Sequence, residues 1–244
     1  MKHYNGLYLM GNYPDPDTFV KAALRGLEYF DFLEVGIPFS DPVADGPVIM
    51  NAGQHSIARG ETLDTILKSV DVIRSKMNKE KKIYLMHYAN TAHKRGYAAF
   101  CERCAASGIS GLIVPDMPFG ESDALKSEAA KFNISFVHFV TTESSEQQID
   151  EIAKSAGGFV YAISMRGITG QKLEFTGEIK EKIAQIKARV SCPVVLGFGI
   201  KDVEQAQDAL TFADGFIMGT RPVELITRGF EAFDSFIGEL ERVG

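Results

Sequence analysis

Eight short, almost wholly apolar runs recur along the chain, with helical patterns between them, and that alternation constrains the fold more than any other feature. The runs are Gly6–Met10, Phe32–Gly36, Ile83–Tyr88, Gly111–Val114, Ile134–Val140, Phe159–Ile163, Pro193–Gly197 and Gly215–Met218. Unbroken apolarity, rather than alternation with polar residues, predicts strands buried on both faces, as in parallel sheets covered by helices. Helical spacing marks Thr62–Met77, where Leu63, Ile66, Leu67, Val70 and Ile73 form one stripe. Gly96–Ala106, Glu121–Phe132, Ser145–Ala153, Gly177–Val190, Val203–Leu210 and Pro222–Val243 read similarly. With 244 residues and no linker-like or low-complexity stretch, the reading is a single α/β domain over residues 1–244, a closed (β/α)8 or TIM barrel. A doubly wound open sheet is the alternative. It usually advertises a Gly-rich first turn, whereas Met10-Gly11-Asn12-Tyr13-Pro14-Asp15 follows the first run here.

Charge and composition exclude several classes of function. Lys and Arg number 26 against 32 Asp and Glu, a formal net charge of −6, and the pI is about 5.5. That balance argues against nucleic-acid binding through a basic footprint. No apolar run approaches the roughly 20 residues needed to span a bilayer. The first residues, Met1-Lys2-His3-Tyr4-Asn5-Gly6, lack the character of a secretory or transit segment. Three cysteines make no disulfide framework and suit a reducing compartment. The expectation is a cytoplasmic protein that binds neither nucleic acid nor membrane.

In barrels of this kind the chemistry sits at the carboxyl ends of the strands and in the loops that follow. The segment after the second run is the most informative: Phe32-Leu33-Glu34-Val35-Gly36-Ile37-Pro38-Phe39-Ser40-Asp41-Pro42-Val43-Ala44-Asp45-Gly46. Strand alternation sets Phe32, Glu34 and Gly36 on one face and Leu33 and Val35 on the other. If Leu33 and Val35 face the helices, Glu34 points into the barrel mouth. A carboxyl held there among apolar neighbours keeps its proton to higher pH and can serve as an acid. The plainer alternative is a strand-end Glu reaching solvent or an Arg. Asp41 and Asp45 precede Pro42 and Gly46, so each also reads as ordinary turn chemistry. Two carboxylates in unlike surroundings can nonetheless divide acid and base roles.

Three glycine-bearing loops follow the last three runs: Gly167-Ile168-Thr169-Gly170, Gly197-Phe198-Gly199 and Gly219-Thr220. Glycine lets backbone approach an anion closely, and amides at a helix start hold phosphate without a lysine. Each loop alone is explained by turn geometry; three at one end of a barrel point to a phosphate cradle.

The segment from Leu33 to Gly46 resembles the signature of the tryptophan synthase alpha subunit family. Further similar motifs follow in the family's order: Tyr88-Ala89-Asn90, Val114-Pro115-Asp116-Met117-Pro118, Gly167-Ile168-Thr169-Gly170, Gly197-Phe198-Gly199-Ile200 and Met218-Gly219-Thr220. The resemblance implies a (β/α)8 lyase that cleaves indole-3-glycerol phosphate to indole and glyceraldehyde 3-phosphate. By that resemblance Glu34 moves a proton at indole C3, Asp45 pairs with the indole nitrogen, and Thr169 helps position Asp45. Gly170, Gly199, Gly219 and Thr220 are then phosphate contacts and Tyr161 lines the substrate pocket. Asp41 is read as structuring the loop, with Ser40 and Asp41 as further candidates for partner contact. The same resemblance implies no metal and no cofactor in this chain, a beta-subunit partner carrying pyridoxal phosphate, and an alpha2beta2 heterotetramer.

Other signals carry less. Cys101 and Cys104 form a C-x-x-C inside a helical pattern with no second pair at zinc spacing, so they read as helix residues, and Cys192 as packing. His55, His93 and His138 read as structural. The sequence departs from the family in lacking the usual leading helix, so the barrel floor is expected to be closed by other residues or a partner. It departs again at Ser164-Met165-Arg166, where Arg166 stands one position late, at Met10-Gly11-Asn12, and at His87, where an apolar residue is usual. The rival functions are a sugar-phosphate epimerase or isomerase, and a subunit of weakened chemistry that mainly activates its partner.

Overall fold

The computed structural model describes residues 3–163, 175–197 and 199–242. Among them, eight parallel strands close in chain order into a barrel. They are β1 (Gly6–Met10), β2 (Phe32–Gly36), β3 (Lys82–Met86), β4 (Gly111–Ile113), β5 (Ser135–Thr141), β6 (Val160–Ile163), β7 (Val194–Gly197) and β8 (Gly215–Met218). The pairing of Gly6 with Ile217 and Leu7 with Met218 shuts the ring and excludes the open sheet. Each strand lies within one or two residues of the run that predicted it.

The helices outside the ring are α1 (Pro16–Tyr29), α2 (Pro47–Ala58), α3 (Leu63–Lys76), α4 (Ala89–Arg95), α5 (Tyr97–Ala106) and α6 (Asp123–Lys131). After them come α7 (Glu146–Ser155), α8 (Gly177–Lys187), α9 (Val203–Leu210), α10 (Thr220–Arg228) and α11 (Phe230–Glu241). The helical patterns named from sequence do not include α1, α2 or α4. α1 is fixed by Pro16 at its first turn and by the Asp15 side chain, which accepts from Thr18 N at 2.9 Å. The predicted Pro222–Val243 helix is two helices, broken at Gly229, whose φ of 124° no L side chain adopts readily. The first of the two starts at Thr220, earlier than expected.

Strand alternation sorts the core into two shells. Leu7, Leu9, Leu33, Val35, Ile83, Leu85 and Leu112 pack outward with the helices. Tyr8, Met10, Phe32, Tyr84, Met86, Ile113, Val137, Tyr161 and Ile217 fill the interior. At the amino ends of the strands the interior is plugged by aromatics. The Phe32 ring lies 4.8 Å from Tyr4, 5.1 Å from Tyr84 and 5.0 Å from Phe159, and Tyr4 and Tyr84 join hydroxyls at 3.0 Å. Side chains of the barrel itself and of the segment entering β1 therefore close the floor, one of the two solutions expected from sequence. Above the plug the ring opens into a pocket at the carboxyl ends.

Cys101 and Cys104 are buried in α5, and Cys192 packs half-buried against the outer core. Burial pushes the Cys101 thiol up to about 11 and Cys104 higher still, so neither is a reactive thiolate. His55 contacts the Pro14 carbonyl at 3.1 Å, His138 contacts Ser155 Oγ at 3.2 Å, and His93 is exposed beside Tyr97. His87 faces outward against the Phe100 ring, 4.6 Å between centroids, its Nδ1 donating to the Tyr88 carbonyl at 3.0 Å. Burial lowers it to about 4, so it packs as a neutral ring.

Candidate active site

A pocket of about 530 Å³, counting its open mouth, occupies the carboxyl end of the barrel. Glu34, Asp45, Tyr161, Gly199, Gly219 and Thr220 all line it, together with Tyr8 and an apolar wall of Ile49, Met86, Ile113, Pro115, Phe139, Ile200 and Ile217. Two expected contacts, Thr169 and Gly170, lie outside the described residues, as do Met165 and Arg166.

Glu34 is carried inward by β2, as strand parity requires once Leu33 and Val35 pack against the helices. Its residue is only 2% exposed, which excludes the plainer reading of a strand-end Glu in solvent. Burial raises its carboxyl to about 8; the Asp45 charge adds to the rise and a hydrogen bond from Tyr161 opposes it. The proton therefore stays on Glu34 at neutral pH. Tyr161 donates to the carboxyl, while Oε2 has no hydrogen-bond partner among the described residues. A protonated carboxyl with one oxygen anchored and the other unengaged is suited to hand its proton to a ligand. Gly197 makes this arrangement possible, because a Cβ there would collide with the Tyr161 ring.

Asp45 sits on the loop between β2 and α2, just before the Gly46 N-cap, at the positive end of that helix. Tyr88 donates to Asp45 Oδ2 at 3.0 Å and accepts from Ala44 N at 3.1 Å, and its ring stacks on Phe39 with centroids 4.9 Å apart. One tyrosine thus pins both the carboxylate and the backbone before it. Burial raises the Asp45 carboxyl and the Tyr88 bond lowers it. The Asp45 charge adds to the rise at the more deeply buried Glu34, so the two carboxyls stand in unlike surroundings that suit unlike protonation states. Asp41, by contrast, is exposed and bonded to the neighbouring Ser40 hydroxyl, which fits the loop-structuring reading.

Across the pocket, α10 begins at Thr220 with Gly219 as its cap, and among the described residues no side chain caps that helix start. Backbone amides at a helix start of this kind can hold an anion. Gly199, with φ of 89°, brings the β7 loop to the same edge. Among the described residues no three His, Cys, Asp or Glu side chains converge to hold a metal ion. No helix among them is long and apolar enough to cross a membrane.

Comparison with known proteins joins this geometry to a family. The family model for the tryptophan synthase alpha chain matches residues 7–241. The chain belongs to that family. A tryptophan synthase alpha chain from Staphylococcus aureus strain bovine RF122 / ET3-1 is 40% identical over 217 residues, covering 89% of this chain and 88% of its own length. The Legionella pneumophila tryptophan synthase alpha chain superposes with a TM-score of 0.89 at 28% identity, over 99% of this chain and 91% of that one. A chain from the Pyrococcus furiosus tryptophan synthase a2b2 complex does so with a TM-score of 0.90 at 27% identity, over 99% of this chain and 100% of that one. As a tryptophan synthase alpha chain the protein is a carbon–carbon lyase of tryptophan biosynthesis that cleaves indole-3-glycerol phosphate.

Two tyrosines, Tyr8 lining the pocket and Tyr88 behind Asp45, were not singled out from sequence. Tyr8 sits in the run Gly-Leu-Tyr-Leu-Met and reads as core; only its register opposite Glu34 reveals it. Tyr88 follows β3 and reads as part of a family motif, but its reach to Asp45 is a long-range contact with no local signature.

Proposed function

We propose that Glu34 is the acid and Asp45 the stabilising anion of the cleavage, with the substrate phosphate held by Gly199, Gly219 and Thr220, assisted by Gly170. Breaking the bond between indole C3 and the glycerol chain requires C3 to gain a proton, which leaves positive charge on the ring nitrogen side. Glu34 supplies the proton, and the Asp45 carboxylate accepts the ring N–H and stabilises the cation. The bonding pair then returns to the ring, giving indole. The chain carbon becomes an aldehyde as its hydroxyl proton leaves; the vacated Glu34 carboxylate can take it, so the acid is regenerated.

The observation that carries this reading is the shielded Glu34 beside a tethered Asp45, facing helix-start amides across one pocket. Tyr161 orients the acid, and Thr169 is assigned to holding Asp45 when ligand is bound. The partner is a beta subunit in an alpha2beta2 heterotetramer, with pyridoxal phosphate in the beta chain, which takes up the released indole. Exposed Val43, 78% accessible on the Asp45 loop, and exposed Ser40 and Asp41 are suited to that contact. The protein is assigned to the cytoplasm, and residues 1–244 to one barrel domain.

The test follows indole release from indole-3-glycerol phosphate by the chain alone and with a beta subunit, for wild type and Glu34→Gln. Wild type is expected to turn over and Glu34→Gln to lose roughly 1,000-fold, a typical contribution of a positioned acid. Turnover that survives Glu34→Gln overturns the mechanism.

A further inference from the structure

The pocket holds one more polar group that the acid and the anion leave unexplained. Tyr8 is 4% exposed, lines the cavity, and its hydroxyl has no hydrogen-bond partner among the described residues. Leaving a buried hydroxyl unpaired destabilises a fold, and a phenylalanine would fill the same space without that penalty. Retention of such a group in a ligand pocket is explained when a ligand supplies the partner.

The position of the ring identifies which part of the ligand that is. In the closed barrel β1 lies between β8, which leads into the α10 amides, and β2, which carries Glu34. The root of the Tyr8 side chain lies against Gly219, where an added Cβ would come 3.2 Å from Tyr8 Cβ. Its tip lies over Gly36, where an added Cβ would collide with the Tyr8 hydroxyl oxygen. Tyr8 and Glu34 are register partners, so a hydroxyl level with Gly36 is one inward position closer to the mouth than Glu34. The ring thus runs from the Gly219 edge toward β2, and its hydroxyl ends on the mouth side of Glu34.

We infer that the Tyr8 hydroxyl donates a hydrogen bond to the substrate hydroxyl on the carbon next to the indole, the oxygen that becomes the aldehyde. This inference rests on the roles given above to Glu34 and the phosphate cradle. As the O–H and C–C bonds break, negative charge gathers on that oxygen before the C=O bond is complete. A fixed donor there strengthens in the transition state, so it accelerates cleavage more than it tightens binding. No proton leaves Tyr8 at any point. Burial, together with the Asp45 and Glu34 charges, holds its hydroxyl far above the ordinary tyrosine range, consistent with a donor that stays a donor.

The experiment compares wild type, Tyr8→Phe and Glu34→Gln in complex with a beta subunit. It measures kcat and KM for indole-3-glycerol phosphate, equilibrium binding of indolylpropyl phosphate (the substrate skeleton without its two chain hydroxyls), and urea unfolding without ligand. Tyr8→Phe is expected to lose about 10- to 100-fold in kcat, to bind the hydroxyl-free analogue as wild type does, and to unfold at a higher urea concentration. A Tyr8→Phe kcat within about twofold of wild type overturns the assignment, being far less than a transition-state donor supplies. Equal weakening toward substrate and analogue also overturns it, because that is the mark of a packing role. Normal Tyr8→Phe beside inactive Glu34→Gln removes this inference and leaves the acid standing; active Glu34→Gln removes both.

Discussion

A carboxyl that holds its proton to pH 8 imposes a penalty on the fold that Glu34→Gln removes, and the penalty has a defined pH course. In the unfolded chain Glu34 ionises near its ordinary value of 4.5; in the folded chain it does so at about 8. Folding between those values takes up a proton, so wild-type stability falls as pH rises. The slope is about 1.4 kcal/mol per pH unit, and the full difference is about 5 kcal/mol. Below pH 4.5 the carboxyl is protonated in both states and the penalty is absent; above about 8 it is complete. Gln matches the neutral acid in shape and does not titrate. Urea unfolding of the ligand-free chain at intervals from pH 5 to pH 8.5 measures the difference between the two proteins. Glu34→Gln is expected to be little changed at the acid end and more stable by several kcal/mol at the alkaline end. Asp45 is present in both proteins and cancels, apart from its repulsion of ionised Glu34, which is already part of the rise to about 8. A stability difference independent of pH would refute the reasoning, since it would mean that folding leaves this carboxyl's proton affinity unaltered.

Three further substitutions test other parts of the structure. Tyr88→Phe removes the bond that lowers the Asp45 carboxyl, so kcat/KM for indole release is expected to fall about tenfold, with the acid limb of its pH profile moving to higher pH. Gly36→Ala puts a methyl against both the hydroxyl and the ring of Tyr8; activity and the thermal unfolding temperature are expected to fall, and combination with Tyr8→Phe to recover stability only in part, because ring carbons at 2.7 and 2.9 Å remain. Phe159→Ala opens the aromatic floor and is expected to cost about 3–5 kcal/mol in urea unfolding, and kcat is expected to fall as well, because the Phe159 ring also supports Tyr161, 5.7 Å between centroids.

The barrel was legible because its strands are buried on both faces, so each advertises itself as an apolar run with no need of tertiary context. Glu34 stood out for the converse reason: a charge type inside such a run either reaches solvent or an Arg at the strand end or points into the barrel mouth, and the structure buries it. Legibility failed where structure depends on single residues or on distance. Pro222 to Val243 reads as one helix by periodicity, yet Gly229 breaks it into two, and the first begins at Thr220 on the pocket edge. Tyr8 is chemically at home in a buried strand, so nothing local separates a packed ring from one with an unpaired hydroxyl. Tyr88 and Asp45 are 43 residues apart, and their bond exists only because the β2 loop folds back over β3. The His and Cys residues set aside from sequence proved to be packed, hydrogen-bonded or exposed, and none of them lines the pocket.

Cleavage by this route depends on the proton that Glu34 keeps, and that proton can be titrated directly. Carbon-13 labelling of glutamate carboxyls, with Glu34→Gln to assign the signal, follows this one group by NMR through the whole pH range in the ligand-free chain. A midpoint near pH 8 is predicted. A midpoint near 4.5, the ordinary value, would show a carboxylate at neutral pH with no proton to give to indole C3.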